Sequence, residues 1–251
     1  VQVDRLTIGQ DWSTFQYTGA LPETTDFVGP TEGTVFVRQP LIRYSMPMGQ
    51  GTTLHLSLEN PETATFNQGS ATLVENDDDR VPDLSARIHH TGSFGELSLA
   101  GVVRQLSVIN GTVDDQATGW GVSAGGKIFL NAAHSADFRF MSTIGSGLGR
   151  YVGINFAPDA IVQAGTGQLH RVSNRAVLAA LRVPLGGNWR TNVMGGWQTV
   201  NYPDAFANRA YSASAWSLAG NIFFTPVRGL DVGVEYRHGE RELVSGASGQ
   251  L

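Results

Sequence analysis

The sequence has no cysteine, which excludes disulfides and thiolate metal sites and leaves the redox compartment open. It has one lysine, Lys127, among 17 basic residues, an arginine bias foreign to ordinary soluble surfaces. It has no apolar run approaching the roughly 18 residues of a membrane helix, and no segment with helical periodicity. Charge is scarce: 16% of residues are charged and the net charge is −5. With 41% of its residues hydrophobic, the chain is too apolar for disorder. Glycine is plentiful, at 31 of 251 residues, and the length suits one large β-domain or two smaller ones. The chain opens on Val1 with no leader peptide and closes in the Gly/Ser-rich "GERELVSGASGQL". These ends favour a fragment cut on both sides.

What is present is alternation. In "WRTNVMGGWQTV", residues 189–200, Trp189 and Trp197 are eight positions apart and share one strand face with Thr191, Val193 and Gly195. Arg190, Asn192, Met194 and Gln198 take the other face. Equivalent runs begin at Leu54, Leu84, Leu97, Trp120, Phe138, Val177, Trp216 and Leu230. Adding residues 1–15 and 34–46 gives about eleven strands, most of them near the roughly 9–11 residues of a membrane strand. No Asp, Glu, Lys or Arg falls on the apolar face of the later nine runs.

Short turns are expected near 47–50, 92–95, 131–136, 186–188 and 226–229, and long loops near 16–33, 60–82, 107–117, 146–174 and 200–212. Strict short–long alternation in an antiparallel meander places all short turns at one end, the layout of outer-membrane barrels. Phe138, Trp189 and Phe224 then mark the short-turn rim, and Trp120, Trp197, Trp216 and Tyr236 the other. Trp189 to Trp197 spans about 26 Å of strand, or roughly 20 Å of depth at a 40° tilt, close to the apolar band between two aromatic girdles. The expected fold is therefore an all-β, antiparallel, up-and-down transmembrane barrel, with lipid outside the tryptophan face and a lumen inside the arginine face.

The lumen face collects Arg5, Arg38, Arg43, Arg87, Arg104, Lys127, Arg139, Arg182, Arg190 and Arg237, against Glu59, Asp83, Glu96, Asp231 and Glu235. Arg38 and Arg43 are five apart, so joining them on one face requires a bulge at Gln39–Pro40. That bulge would turn Val35, Val37, Ile42 and Tyr44 to lipid. Folding the hairpins about their short turns pairs Asp83 with Arg104, sets Lys127 opposite Arg139, and sets Arg182 diagonal to Arg190. Like charges across a sheet repel. Either water screens them or a passing anion offsets them, as in anion pores lined by Arg and Lys. Arginine suits carboxylate or phosphate because its planar fork binds both oxygens.

Weaker candidates are a metal at His55 and His89, which lacks an evident third ligand, and a divalent cation at the acidic "ENDDD" of 75–79. "GSGLG" at 145–149 lacks the strand-to-helix setting of a phosphate loop. No Ser/His/Asp set or paired carboxylates assemble from the spacing, so no enzyme and no cofactor is expected.

The strings "LTIGQDWSTF", "ALPETTDFVGP", "VFVRQPLIRY", "SLENPE", "PDLSARIHHTGSFGELSLAGVVRQL", "GLGRYVG" and "GVEYRHGEREL" run in order along the chain and resemble the DcaP-like family of outer-membrane porins. The resemblance implies a trimeric, sixteen-stranded barrel in a Gram-negative outer membrane, bounded by lipid and lipopolysaccharide. It also implies passage of small anions, dicarboxylates in particular, and no nucleic-acid partner. Residues 1–251 would form one partial porin domain, with roughly four strands before Val1 and one after Leu251. Asp11 departs from the hydroxyl residue that the family pattern places before Trp12. Loop 16–33 or part of 146–174 would narrow the pore. A plugged structural or adhesive barrel and a soluble β-propeller or sandwich remain as alternatives.

Overall fold

In the computed structural model, which describes residues 1–250 apart from Asp77 and Thr112, alternating apolar and polar residues build strands throughout. In chain order these are β1 (Gln2–Val3), β2 (Leu6–Trp12), β3 (Arg38–Gly49), β4 (Thr52–Glu59), β5 (Thr63–Asn67), β6 (Leu73–Asn76), β7 (Asp83–Gly92), β8 (Gly95–Asn110) and β9 (Val113–Phe129). They continue as β10 (Asp137–Ser146), β11 (Ala160–Val162), β12 (Leu169–Arg171), β13 (Ser173–Gly186), β14 (Trp189–Asn201), β15 (Ser212–Val227), β16 (Leu230–Leu243) and β17 (Ser248–Gln250). Thirteen of them form one antiparallel sheet in the order β1-β2-β3-β4-β7-β8-β9-β10-β13-β14-β15-β16-β17. The sheet is open, with β1 and β17 as free edges. Its eleven longer members coincide with the eleven alternating segments of the sequence.

One face of this sheet is bare and apolar. Ile42, Leu58, Leu84, Val103, Val122, Val193, Trp197, Leu218 and Val234 are among its exposed side chains, and among the described residues no second sheet covers them. In a soluble sandwich this face would be the core. Trp197 pairs directly with Trp216 at one depth, and Trp189 stacks on Phe224 at the other, with ring centroids 4.6 Å apart. Outer-face charges sit at or beyond the upper tryptophans: Arg175 lies one outward position past Val177, which pairs with Trp197, and Glu240 pairs with Trp216. Tyr236 departs from expectation. It pairs with Gly220, midway between the girdles rather than at the rim.

The other face is covered by chain. Residues 13–37 and 147–159 both fold inward across it, so neither loop alone narrows the interior. Phe15, Tyr17, Ala20, Val35 and Val37 of the first and Leu148, Tyr151 and Val152 of the second are buried against Ala100, Val102, Met141, Ala176 and Leu178 of the wall. Val35 and Val37 are thus core residues, not lipid-facing ones. The bed is shaped by glycine: a Cβ on Gly33 would lie 2.4 Å from the Val177 carbonyl oxygen, and one on Gly196 would lie 2.8 Å from the Glu32 carboxylate.

Two loop expectations change. Residues 107–117 are no loop, because β8 and β9 stay paired out to Asn110 and Val113. Asn110 is the last paired residue of β8, and Gly111 after it takes a left-handed φ of 62° that suits a tight hairpin; Thr112 itself lies outside the described residues. The loops at 60–82 and 146–174 contribute a second sheet, β12-β11-β5-β6, with β5 and β11 parallel. It packs over the long-loop end through Phe66, Ile161, Val172, Val200 and Tyr211.

Candidate functional site

The bulge that would have joined Arg38 to Arg43 does not form. Strands β2 and β3 pair in constant register from Leu6–Tyr44 to Trp12–Arg38, so the two arginines point to opposite sides. Arg38 is exposed on the outer face, level with Trp12. Pro40 fits a regular strand because its carbonyl accepts from the Asn60 N–H just beyond the end of β4. Its missing donor falls on that same side, where the ladder has finished. Arg5 lies exposed in the turn between β1 and β2, at the short-turn rim.

Arg104 is inward but is no lining residue. Its side chain is fully buried, with Nε 3.3 Å from Asp83, Nη1 2.9 Å from Asp159, and the guanidinium 5.2 Å from the Tyr151 ring centroid. The Asp83 pairing follows from the hairpin register. Asp159 comes from the inward loop 147–159 and completes a staple between that loop and the wall.

The remaining inner-face cations lie along the wall. Arg43 pairs with Asp11, the departure from the family pattern, and donates to the Trp12 carbonyl at 3.1 Å. Arg87 donates to the Gln16 carbonyl of the inner segment. Lys127 is directly opposite Arg139 on β10 and Glu96 on β8. Arg139 binds Asp137 on its own strand at 2.6 Å and the Leu21 carbonyl at 2.5 Å. Among the described residues Arg87 and Lys127 have no carboxylate within ion-pair distance.

At the centre of the wall a polar row crosses five strands in register: Asp137, Arg182, Asn192, Asn221 and Glu235. The apex of the inner segment docks onto it. Glu23 accepts from Arg190 Nε at 2.8 and 2.9 Å, from Arg190 Nη2 at 2.5 Å and from Asn192 Nδ2 at 3.4 Å. Arg182 Nε is 3.6 Å from the same carboxylate, and Arg190 also meets Asp231 at 3.1 Å. Burial would raise the Glu23 carboxyl, but the hydrogen bonds and charge of Arg190, with the charge of Arg182, hold it below its ordinary value. Next along the apex, Thr24 donates to Glu235 at 2.7 Å and Asp26 lies 3.6 Å from Arg237. The carboxylates that offset the clustered arginines are the protein's own.

Sequence reasoning missed Glu23, Asp26, Asp137 and Asp159. Asp137 was accessible from alternation, since it precedes Arg139 by two and shares its face. Glu23 reaches Arg190 across 167 positions, which no local pattern encodes.

Other candidates gain nothing. His55 faces Arg87 across the ladder and hydrogen-bonds Ser45 at 2.9 Å, and His89 lies 3.5 Å from Glu96. Among the described residues no three His, Asp or Glu side chains converge as a metal site. Asp77 of the acidic loop lies outside the described residues; Asp78 accepts from the Ile109 N–H and Asp79 from Thr63. In "GSGLG", Leu148 packs in the core.

No protein-family model matches the chain, and no curated protein sequence does. Solved structures do. The outer-membrane channel DcaP of Acinetobacter baumannii superposes with a TM-score of 0.84 at 24% identity, over 98% of this chain and 68% of its own. The chain has the fold of the DcaP channel. OmpT, an outer-membrane protein of Vibrio cholerae, is similar with a TM-score of 0.61 at 10% identity, over 95% of this chain and 67% of its own. An anion-selective porin from Comamonas acidovorans follows with 0.56 at 10% identity, over 98% and 68%.

Proposed function

We propose that the chain is the greater part of a porin of the Gram-negative outer membrane that passes small anionic solutes, dicarboxylates in particular, by passive diffusion. The open sheet would be completed to sixteen strands by further chain pairing at the edges β1 and β17, and the closed barrels would assemble as trimers in lipid and lipopolysaccharide. Carrying this reading is the way Arg182, Arg190 and Asn192 hold the Glu23 carboxylate. A wall that binds one carboxylate through a forked guanidinium is chemically equipped to bind another. Arginine on the inner wall also attracts anions into the pore.

A second reading has an observation in its favour. Arg43, Arg104, Arg139, Arg182, Arg190 and Arg237 are all paired with carboxylates, as they would be in a plugged barrel with a structural role. Solute flux separates the two. Proteoliposomes of the full-length protein should swell faster in succinate than in a neutral sugar of similar size, and faster in either than in a diamine. No swelling in any of the three would establish the plugged barrel.

A further inference from the structure

We propose that the apex of the inner segment, from Glu23 to Asp26, is a tethered diacid that occupies the wall's own solute site and is displaced when a permeating dicarboxylate binds there. The inference rests on the anion-porin reading above and names its docking site: Arg182, Arg190 and Asn192 for one carboxylate, Arg237 for the other.

The chemistry of the contact is that of a ligand. Glu23 receives both Nε and Nη2 of Arg190, the side-on fork that free carboxylates receive. Arg182 Nε points at it from 3.6 Å and has no hydrogen-bond partner of its own. Three residues on, Asp26 lies 3.6 Å from Arg237 on β16. The apex thus offers two carboxylates to two separate cationic points, as a small diacid would.

The mechanics suit exchange. Both stems of the segment are fixed by apolar burial, at Phe15, Tyr17 and Ala20 on one side and at Val35 and Val37 on the other. Between them the apex meets the wall by polar bonds of Glu23, Thr24, Thr25 and Asp26, including the Thr25 N–H to Glu235 at 3.3 Å and Asn221 Nδ2 to the Glu23 carbonyl at 2.8 Å, and Phe27 beside them is 83% exposed. Replacing the Glu23 carboxylate with that of a solute conserves the charge-assisted hydrogen bonds to Arg190 and Asn192, and displacement then breaks the remaining apex bonds to Glu235 and Asn221. While docked, the Glu23 carboxylate offsets one of the two positive charges of Arg182 and Arg190, and Asp231 lies 3.1 Å from Arg190. Once displaced, it leaves that share of the two guanidinium groups to the solute. A tethered competitor acts through its effective concentration, so removing its charge strengthens solute binding without any new contact.

The test is block of single-channel chloride current by added succinate in planar bilayers, with the full-length protein. In Glu23→Gln the half-blocking succinate concentration should fall several-fold relative to wild type. A second variant, Thr24→Cys/Glu235→Cys, places the only two thiols of the described sequence across the Thr24–Glu235 contact. Oxidation should abolish succinate block and reduction should restore it. Unchanged block in Glu23→Gln, or block indifferent to oxidation, overturns the displaceable apex while an anion-selective wild type leaves the porin reading standing. A wild type without conducting steps overturns the porin reading and this inference with it.

Discussion

The guanidinium of Arg104 is fully buried between Asp83, Asp159 and the ring of Tyr151. A charge in such a place is tolerable only while its partners remain. Arg104→Ala leaves two buried carboxylates without their cation and should destabilise the protein by about 3–5 kcal/mol, seen as a lower denaturant midpoint in detergent. A midpoint equal to wild type would show that the staple contributes nothing. This residue also marks the limit of local reading. Hairpin arithmetic paired it with Asp83 and set Lys127 against Arg139, because register within a hairpin is a short-range property. It could not see Asp159 or Glu23, since inward loops choose their partners in three dimensions. Ten cations therefore read as one pore-lining class. They divide into a buried staple (Arg104), a wall facing the inner segment, an exposed turn (Arg5) and an outer-face residue (Arg38).

At the scale of strands, faces were legible wherever one side is bare, since period-two alternation and burial encode the same choice. They were misread where a special residue seemed to demand an exception. Pro40 suggested a bulge, yet its missing donor falls where β4 has already ended. Asn110 and Gly111 lie inside the stretch expected as the 107–117 loop, yet β8 and β9 pair through it, with Asp114 and Asp115 in β9. Charges there are permitted, since this part of β8 and β9 extends past Trp120, above the apolar band. The band itself makes a prediction about depth. In variants carrying one tryptophan, residues 189 and 197 should be quenched most by lipids brominated near the headgroups. A tryptophan introduced as Val193→Trp, midway between them on the same face, should be quenched most by bromines deep in the acyl chains. Equal quenching at all three positions would mean that this face does not span lipid.

For the whole molecule, the decisive asymmetry is between the two sides of one sheet. The outer side carries exposed aliphatic residues between two aromatic levels. The inner side carries arginines and is crossed by two loops of the same chain. An edge strand left unpaired is a liability in water and more so in lipid, so the proposed porin requires the sheet to close through pairing at β1 and β17. Wall and inner segment together should make passage depend on charge more than on size. The most direct measurement is the reversal potential of the full-length protein in a planar bilayer under a potassium chloride gradient, repeated with Lys127, Arg139, Arg182 and Arg190 replaced by glutamine. An anion-selective wild type is expected, with a preference that collapses in the fourfold variant. Cation selectivity in the wild type would place control in the acidic loops and rule out the arginine wall as the selectivity element.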